Sequence, residues 1–229
     1  MSLLSDIFNT IFPATCACCG EVLVDGEKQI CVNCISNLEE TSFSPIPDNH
    51  TERTLLGRIH ICAATAIYRY GKSNTTRKVV HAMKFHNNPE LCIIMGRQMG
   101  LRLLGSGRFD DVDLLVPVPL HWFRRIKRGY NQSELLCRGI AEVMPRPICT
   151  DAIVRHRYTK KQSRSKAKKR FVNVEGAFRV REPAMLEGKH ILLVDDVLTT
   201  GATLTACADA IAKRVNDIRI SVATLSEAL

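Results

Sequence analysis

Apolar and polar positions fall into short blocks along the chain. Residues 62–70, 113–120, 152–155, 177–180, 191–194 and 218–225 are apolar runs of strand length, whereas 75–85, 90–104, 134–143 and 204–215 carry apolar side chains at helical spacing. Strands alternating with helices predict a parallel, right-handed α/β sheet with ligands at the carboxyl ends of its strands. Pro117 and Pro119 interrupt one run, and since proline cannot donate to a ladder, that strand is expected to end there in a rigid turn. Residues 1–12 place Leu3, Leu4, Ile7, Phe8 and Ile11 on one side, the pattern of a helix that docks. From residue 41 the text turns to Pro and turn formers, which reads as a linker. The expected division is an N-terminal module at 1–40, a linker at 41–58 and an α/β domain at 59–229.

The module is organised by cysteine. Cys16 and Cys19 form one C-x-x-C and Cys31 and Cys34 another, with Gly20 placed as the turn of a knuckle. Each C-x-x-C turn points both sulfurs to one side, so two of them supply four thiolates for one tetrahedral zinc ion. A closed four-thiolate site has no open position for a substrate, and its role is structural. Cys18, inside the first pair, leaves open which thiol ligates. The other five cysteines, Cys62 among them, sit in apolar settings and read as small core residues. Ten cysteines in a chain whose start lacks a basic leader and carries Asp6 suggest a reducing, cytoplasmic setting. No apolar run reaches the length of a membrane span.

The chemistry concentrates at residues 190–203. Ile191, Leu192, Leu193 and Val194 read as a strand buried on both faces, stopping at Asp195 and Asp196. Thr199, Thr200, Gly201, Ala202 and Thr203 then lead into a helix, with hydroxyls for its N-cap. Amides and hydroxyls at a helix N-terminus hold an anion, most often phosphate. Carboxylates beside such a cradle repel phosphate and suit sugar hydroxyls or a metal riding on the ligand. The stretch therefore reads as a sugar-phosphate site. A nucleoside-triphosphatase reading fails because no Gly-x-x-x-x-Gly-Lys-Ser/Thr loop exists, and a dinucleotide fingerprint is also missing.

Charge narrows the partners. With 32 Lys+Arg against 23 Asp+Glu the chain carries a formal +9, which points to nucleic acid or a polyphosphate ligand. His121, Arg124, Arg125, Lys127 and Arg128 follow the proline-bounded strand, where a second anionic group of one ligand could sit. Residues 155–170 gather nine further cations, Lys161 among them, without an acid, the pattern of a mobile basic loop. Trp122 is single, and the aromatics are not interleaved with basic residues as a single-strand stacking platform requires.

With these residues in view, 194–203 resembles the phosphoribosyl-pyrophosphate (PRPP) motif of type I phosphoribosyltransferases. Within that group the chain is similar to the competence protein F (ComF) family. The likeness runs through Phe12-Pro13, the four cysteines, Lys84-Phe85, Val116-Pro-Val-Pro-Leu-His121, Arg128-Gly-Tyr-Asn-Gln132, Gln162, Arg170, Asn173 and Gly176-Ala-Phe178. The resemblance implies a parallel-sheet phosphoribosyltransferase-like domain with a small four-cysteine zinc module. It implies that Asp195 and Asp196 accept the ribose hydroxyls, residues 199–203 hold the 5′-phosphate, and His121, Arg125, Arg128 and Lys161 face the pyrophosphate, with magnesium on the ligand. Two functions follow: a PRPP-binding accessory of DNA uptake that handles single-stranded DNA with a competence helicase and DNA-processing proteins, or a magnesium-dependent phosphoribosyltransferase of unknown acceptor.

Overall fold

The computed structural model describes residues 13–71, 75–85, 87–157 and 176–228. The chain opens with α1 (Val32–Ser36) beside the cysteines and α2 (His50–Leu55), then enters β1 (Ala64–Arg69). Two helices follow, α3 (Thr75–Phe85) and α4 (Pro89–Leu104), then β2 (Leu114–Pro117), α5 (Trp122–Arg128) and α6 (Gln132–Val143). After β3 (Ile153–Arg155) and β4 (Phe178–Val180) come β5 (His190–Leu198), α7 (Ala202–Ala212) and β6 (Arg219–Glu227). Four strands form one parallel sheet in the order β1-β6-β5-β2. The runs at 152–155 and 177–180 do form strands, but they pair with each other antiparallel and stand outside that sheet.

Two cores cover the two faces of the sheet. Leu192 and Val194 join Met83, Met95, Leu136 and Ile140 on one side, whereas Ile191 and Leu193 join Leu204, Cys207 and Ile211 on the other. This division explains the unbroken apolar run of β5, since alternate side chains enter different cores. It also sets the site. α6, which follows β2 and the short α5, lies on the first face and α7, which follows β5, on the second, so the chain diverges where these neighbouring strands end. Such a divergence opens a crevice at the carboxyl ends of a parallel sheet.

β2 leaves the sheet at Pro117, opposite Val194, as its prolines require. β5 does not stop at its carboxylates. Its pairing with β6 continues through Asp195–Thr224, Val197–Ser226 and Leu198–Glu227, and those ladder bonds carry the strand four residues past the end of the apolar run. Asp195 and Asp196 are thus held by β6 along one edge, beyond the point where β2 has turned away.

Two glycines allow α4 and α6 to cross closely. A Cβ at Gly96 would lie 2.3 Å from the Leu136 carbonyl oxygen, and one at Gly139 would lie 2.1 Å from that of Ile93. The crossing fixes α6, whose N-terminal residues face the carboxylates. Residues 41–58, linker-like in composition, are packed. The Thr41 amide donates to the Ile67 carbonyl at 2.9 Å, its hydroxyl bonds Ala66, and Asn49 caps α2 while donating to the Ala64 carbonyl at 2.8 Å. Cys62 is exposed, unlike Cys92, Cys137, Cys149 and Cys207, because it precedes β1 at the sheet's edge. The docking helix expected at 1–12 lies outside the described residues. Among the described residues no helix is long and apolar enough to cross a membrane.

Candidate functional site

The centre of the site is the acidic end of β5. The Asp195 carboxylate accepts from the Ser133 hydroxyl at 3.1 Å and from the Asp196 amide at 2.9 Å. Burial, and then the Asp196 charge beside it, push the Asp195 carboxyl up to about 7. Asp196 is paired with Lys84, whose Nζ lies 2.8 Å from its Oδ2, both side chains being only 15% exposed. Lys84 comes from the last turn of α3, more than a hundred residues away in sequence; Lys84-Phe85 enters the family likeness, but only the fold shows that Lys84 meets Asp196.

The cradle follows at once. Gly201 adopts φ +76°, a left-handed turn open to glycine, and it precedes α7 as N-cap without a side-chain cap bond. The hydroxyl cap expected from the threonines is not made. With no cap side chain on them, the first-turn amides are the kind of donors an anion takes up at a helix N-terminus. A Cβ at Gly201 would meet the Leu55 side chain at 2.9 Å, and the Arg58 Nη1 donates to the Thr200 carbonyl at 2.6 Å. Leu55 and Arg58 therefore buttress the cradle. Thr199 is exposed, Thr200 and Thr203 half-buried, and Ala202 buried.

A cluster of positive charge faces these elements. His121 is buried and caps α5, its Nδ1 accepting from the Phe123 amide at 3.3 Å. Burial holds the His121 imidazole below its ordinary value; the His156 backbone opposes this and the charges of Arg155 and Arg124 add to it. Burial likewise lowers Arg128, with Asp196 acting against it and Arg124 with it. Arg128 bonds Gln132 at 2.7 Å and lies 5.7 Å above the Phe85 ring. Arg155, stacked 5.2 Å over Phe178, is lowered by burial and by Arg124 and supported by Asp195. Four cationic or protonatable groups that oppose one another's charge mark a place for an anion. Arg124 belongs to this cluster. Arg125, singled out from sequence, instead pairs with Glu134 at 3.7 Å and is 63% exposed. Lys161, with Gln162, Arg170 and Asn173, lies outside the described residues.

The four module cysteines form a second centre. Their sulfurs lie within 4.8 Å of one another, and Cys19 and Cys31 approach to 3.7 Å, near the ~3.8 Å edge of a tetrahedron built on Zn–S bonds of about 2.3 Å. Gly20, at φ +81°, returns its amide to the Cys16 carbonyl at 2.9 Å and closes the knuckle. Amides of Cys18 and Cys31 donate to the Cys16 sulfur at 3.5 and 3.4 Å; burial opposes the Cys16 thiolate, but backbone bonds from Cys19, Cys31 and Cys18 bring it down to about 6. Cys18 stands outside the cluster and packs on the main core, where burial raises its thiol to about 12. The donor set fits a metal ion.

Comparison with known proteins agrees with this geometry. The phosphoribosyl transferase domain model matches residues 131–227, which take in β5, the cradle, α7 and β6. Competence protein ComFC of Bacillus subtilis (strain 168) is 36% identical over 223 residues, covering 89% of this chain and 86% of that protein. The chain belongs to the ComF family. Two other relatives match over a shorter span: DNA utilization protein YhgH of Escherichia coli (strain K12) is 34% identical over 133 residues, and Competence protein F of Haemophilus influenzae is 31% identical over 130. These matches span 58% and 57% of the two relatives' own lengths. ComF membership accounts for both centres at once, the four-cysteine cluster and the phosphoribosyltransferase-like sheet.

Proposed function

We propose that this chain binds PRPP, or a closely related sugar phosphate, and serves DNA uptake in natural transformation by helping to handle incoming single-stranded DNA in the cytoplasm. One observation carries the first part: a carboxylate pair and an anion cradle stand consecutively at the divergence point of a parallel sheet, opposite a cluster of mutually repelling cations. In this reading Asp195 and Asp196 accept the ribose hydroxyls, and residues 199–203 hold the 5′-phosphate. His121, Arg124, Arg128 and Arg155 face the pyrophosphate, and Lys161 is proposed to add charge to them. Magnesium carried on the ligand's oxygens supplies charge neutralisation, and the two carboxylates suit its preference for oxygen donors. Lys84 hands Asp196 to the incoming sugar hydroxyl, and its charge works against the upward push on the Asp195 carboxyl.

The second part rests on the relatives, whose names speak of competence and DNA utilization. Those names favour DNA handling over a transferase of nucleotide metabolism; the partners proposed for it are a competence helicase and DNA-processing proteins. The tetrahedral spacing of the thiols supports zinc as the module's ion. Calorimetric titration with PRPP and magnesium tests the ligand, with micromolar or tighter binding expected and no heat of binding contradicting it. Elemental analysis of protein purified without chelator tests the metal, one zinc per chain being the expected content.

A further inference from the structure

α5 is built the wrong way round for a surface helix. A helix on a globular domain ordinarily turns an apolar stripe inward and charges outward. None of the seven residues of α5 is buried; Trp122, Phe123 and Ile126 are 61%, 51% and 74% exposed, and the two least exposed positions are Arg124 and Arg128. Arg124 and Arg128 stand one turn apart and serve the pyrophosphate side of the site. The opposite side repeats the spacing, with Trp122 over Ile126 and Phe123 over Lys127, flanked by Arg125. Trp122 meets Phe123 edge to face with ring centroids 5.9 Å apart, and His121 supports it from behind at 5.6 Å. The aromatics that look isolated in the sequence are brought by the helix into one ridge with cations beside them.

We propose that this outer face of α5 is where single-stranded DNA is held, its bases stacked on Trp122 and Phe123 and its phosphates paired with Arg125 and Lys127. The inference rests on the DNA-handling reading above and names the surface that carries it. Sequence-tolerant strand binding combines aromatic platforms with cations that track the backbone, and α5 offers both with no acid in its length. Its seven residues span about 10 Å, the rise of about three stacked nucleotides. A membrane surface is disfavoured, since two turns with three apolar side chains make a small wedge and interfacial helices are commonly far longer. Both faces of one short helix then serve phosphate ligands, the inner face a sugar pyrophosphate and the outer face a strand.

Trp122 is the chain's single tryptophan, so its emission reports this face directly. Intact protein is titrated with a fluorescein-labelled dT20 oligonucleotide, following both the label's anisotropy and Trp122 emission, and in parallel with an abasic strand of equal length and with anionic vesicles of phosphatidylglycerol. The expected result is quenching of Trp122 by dT20 in step with binding, and no quenching by the abasic strand. Trp122→Ala with Phe123→Ala should weaken dT20 binding about tenfold or more while leaving the melting temperature unchanged. Binding of dT20 with Trp122 emission unmoved, or with full affinity in the double variant, overturns the surface assignment and leaves DNA handling standing. No binding of dT20 at all overturns both. A blue shift with vesicles and none with dT20 makes the face a membrane contact and overturns the proposal.

Discussion

The two ends of β5 carry nearly the same chemistry and put it to opposite uses. At the entering end His190 bonds the Ser221 hydroxyl through Nε2 at 2.9 Å, and its Nδ1 lies 3.0 Å from Asp111. Serine, histidine and aspartate in sequence of contact would suggest a nucleophile, but Ser221 is fully buried, His190 is 2% exposed and the Asp111 charge is shared with Arg219. At the leaving end Asp195, Ser133, Asp196 and Lys84 form a chain of similar contacts, but here β2 has turned away and the carboxylates are partly open. Access decides the difference, and topology decides access. A parallel sheet seals its amino end with the loops that feed the strands, and leaves the carboxyl end to ligands where neighbouring chains diverge.

That contrast can be broken by substitution, and the sealed end should answer first. His190→Ala leaves a cavity and an unpartnered Ser221 hydroxyl between β5 and β6. It should cost about 2–4 kcal/mol in urea unfolding, with PRPP affinity unchanged in the folded fraction. Lys84→Met acts in the other direction, on ligand affinity. Without the ammonium the acid pair is harder to ionise, and Asp195 already titrates near 7. Since the hydroxyl-accepting form is the carboxylate, affinity for PRPP in the intact protein should rise as pH rises through about 7. In the variant that rise should move to higher pH, with about a tenfold loss at pH 7, equal to about 1.4 kcal/mol. An unshifted pH profile would separate Lys84 from the acids. Asp111→Asn is the mildest: its side chain is 58% exposed, and urea unfolding should change by about 0.5 kcal/mol or less.

The legible parts of the molecule are those whose signal is local. Ile191 to Asp196 and the glycine after them are contiguous, so strand, acids and cradle could be read together, and the paired C-x-x-C spacing fixed the four cysteines that the fold brings within ligating distance. Leu55 and Arg58 reach the site from a remote stretch, and nothing in their own neighbourhood says so; Lys84, Arg124 and Arg155 lie in stretches the sequence does mark, but the partners they meet across the fold are not written there. Arg124 and Arg125 differ by one position in a run of cations, and only the helical turn sends one to the site and the other to Glu134. α5 itself was illegible as a helix for a physical reason. Periodicity reveals a helix through the face it buries, and this one buries none. α2 hid for a different reason: it does bury Thr51 and Leu55, but its six residues are too short for a period and stand behind prolines and turn formers that serve as its approach and its Asn49 cap.

The central claim is that the acidic end of β5 grips the ribose of a PRPP-like ligand, and calorimetry on one pair of proteins tests it most directly. The intact chain and Asp195→Asn with Asp196→Asn are each titrated with PRPP and magnesium at pH 8, after urea unfolding has shown both to be folded. The geometry predicts saturable binding by the intact chain and loss of at least about a hundredfold in the double variant, as expected when both charged acceptors are removed. Equal affinity in the two proteins would contradict the assignment.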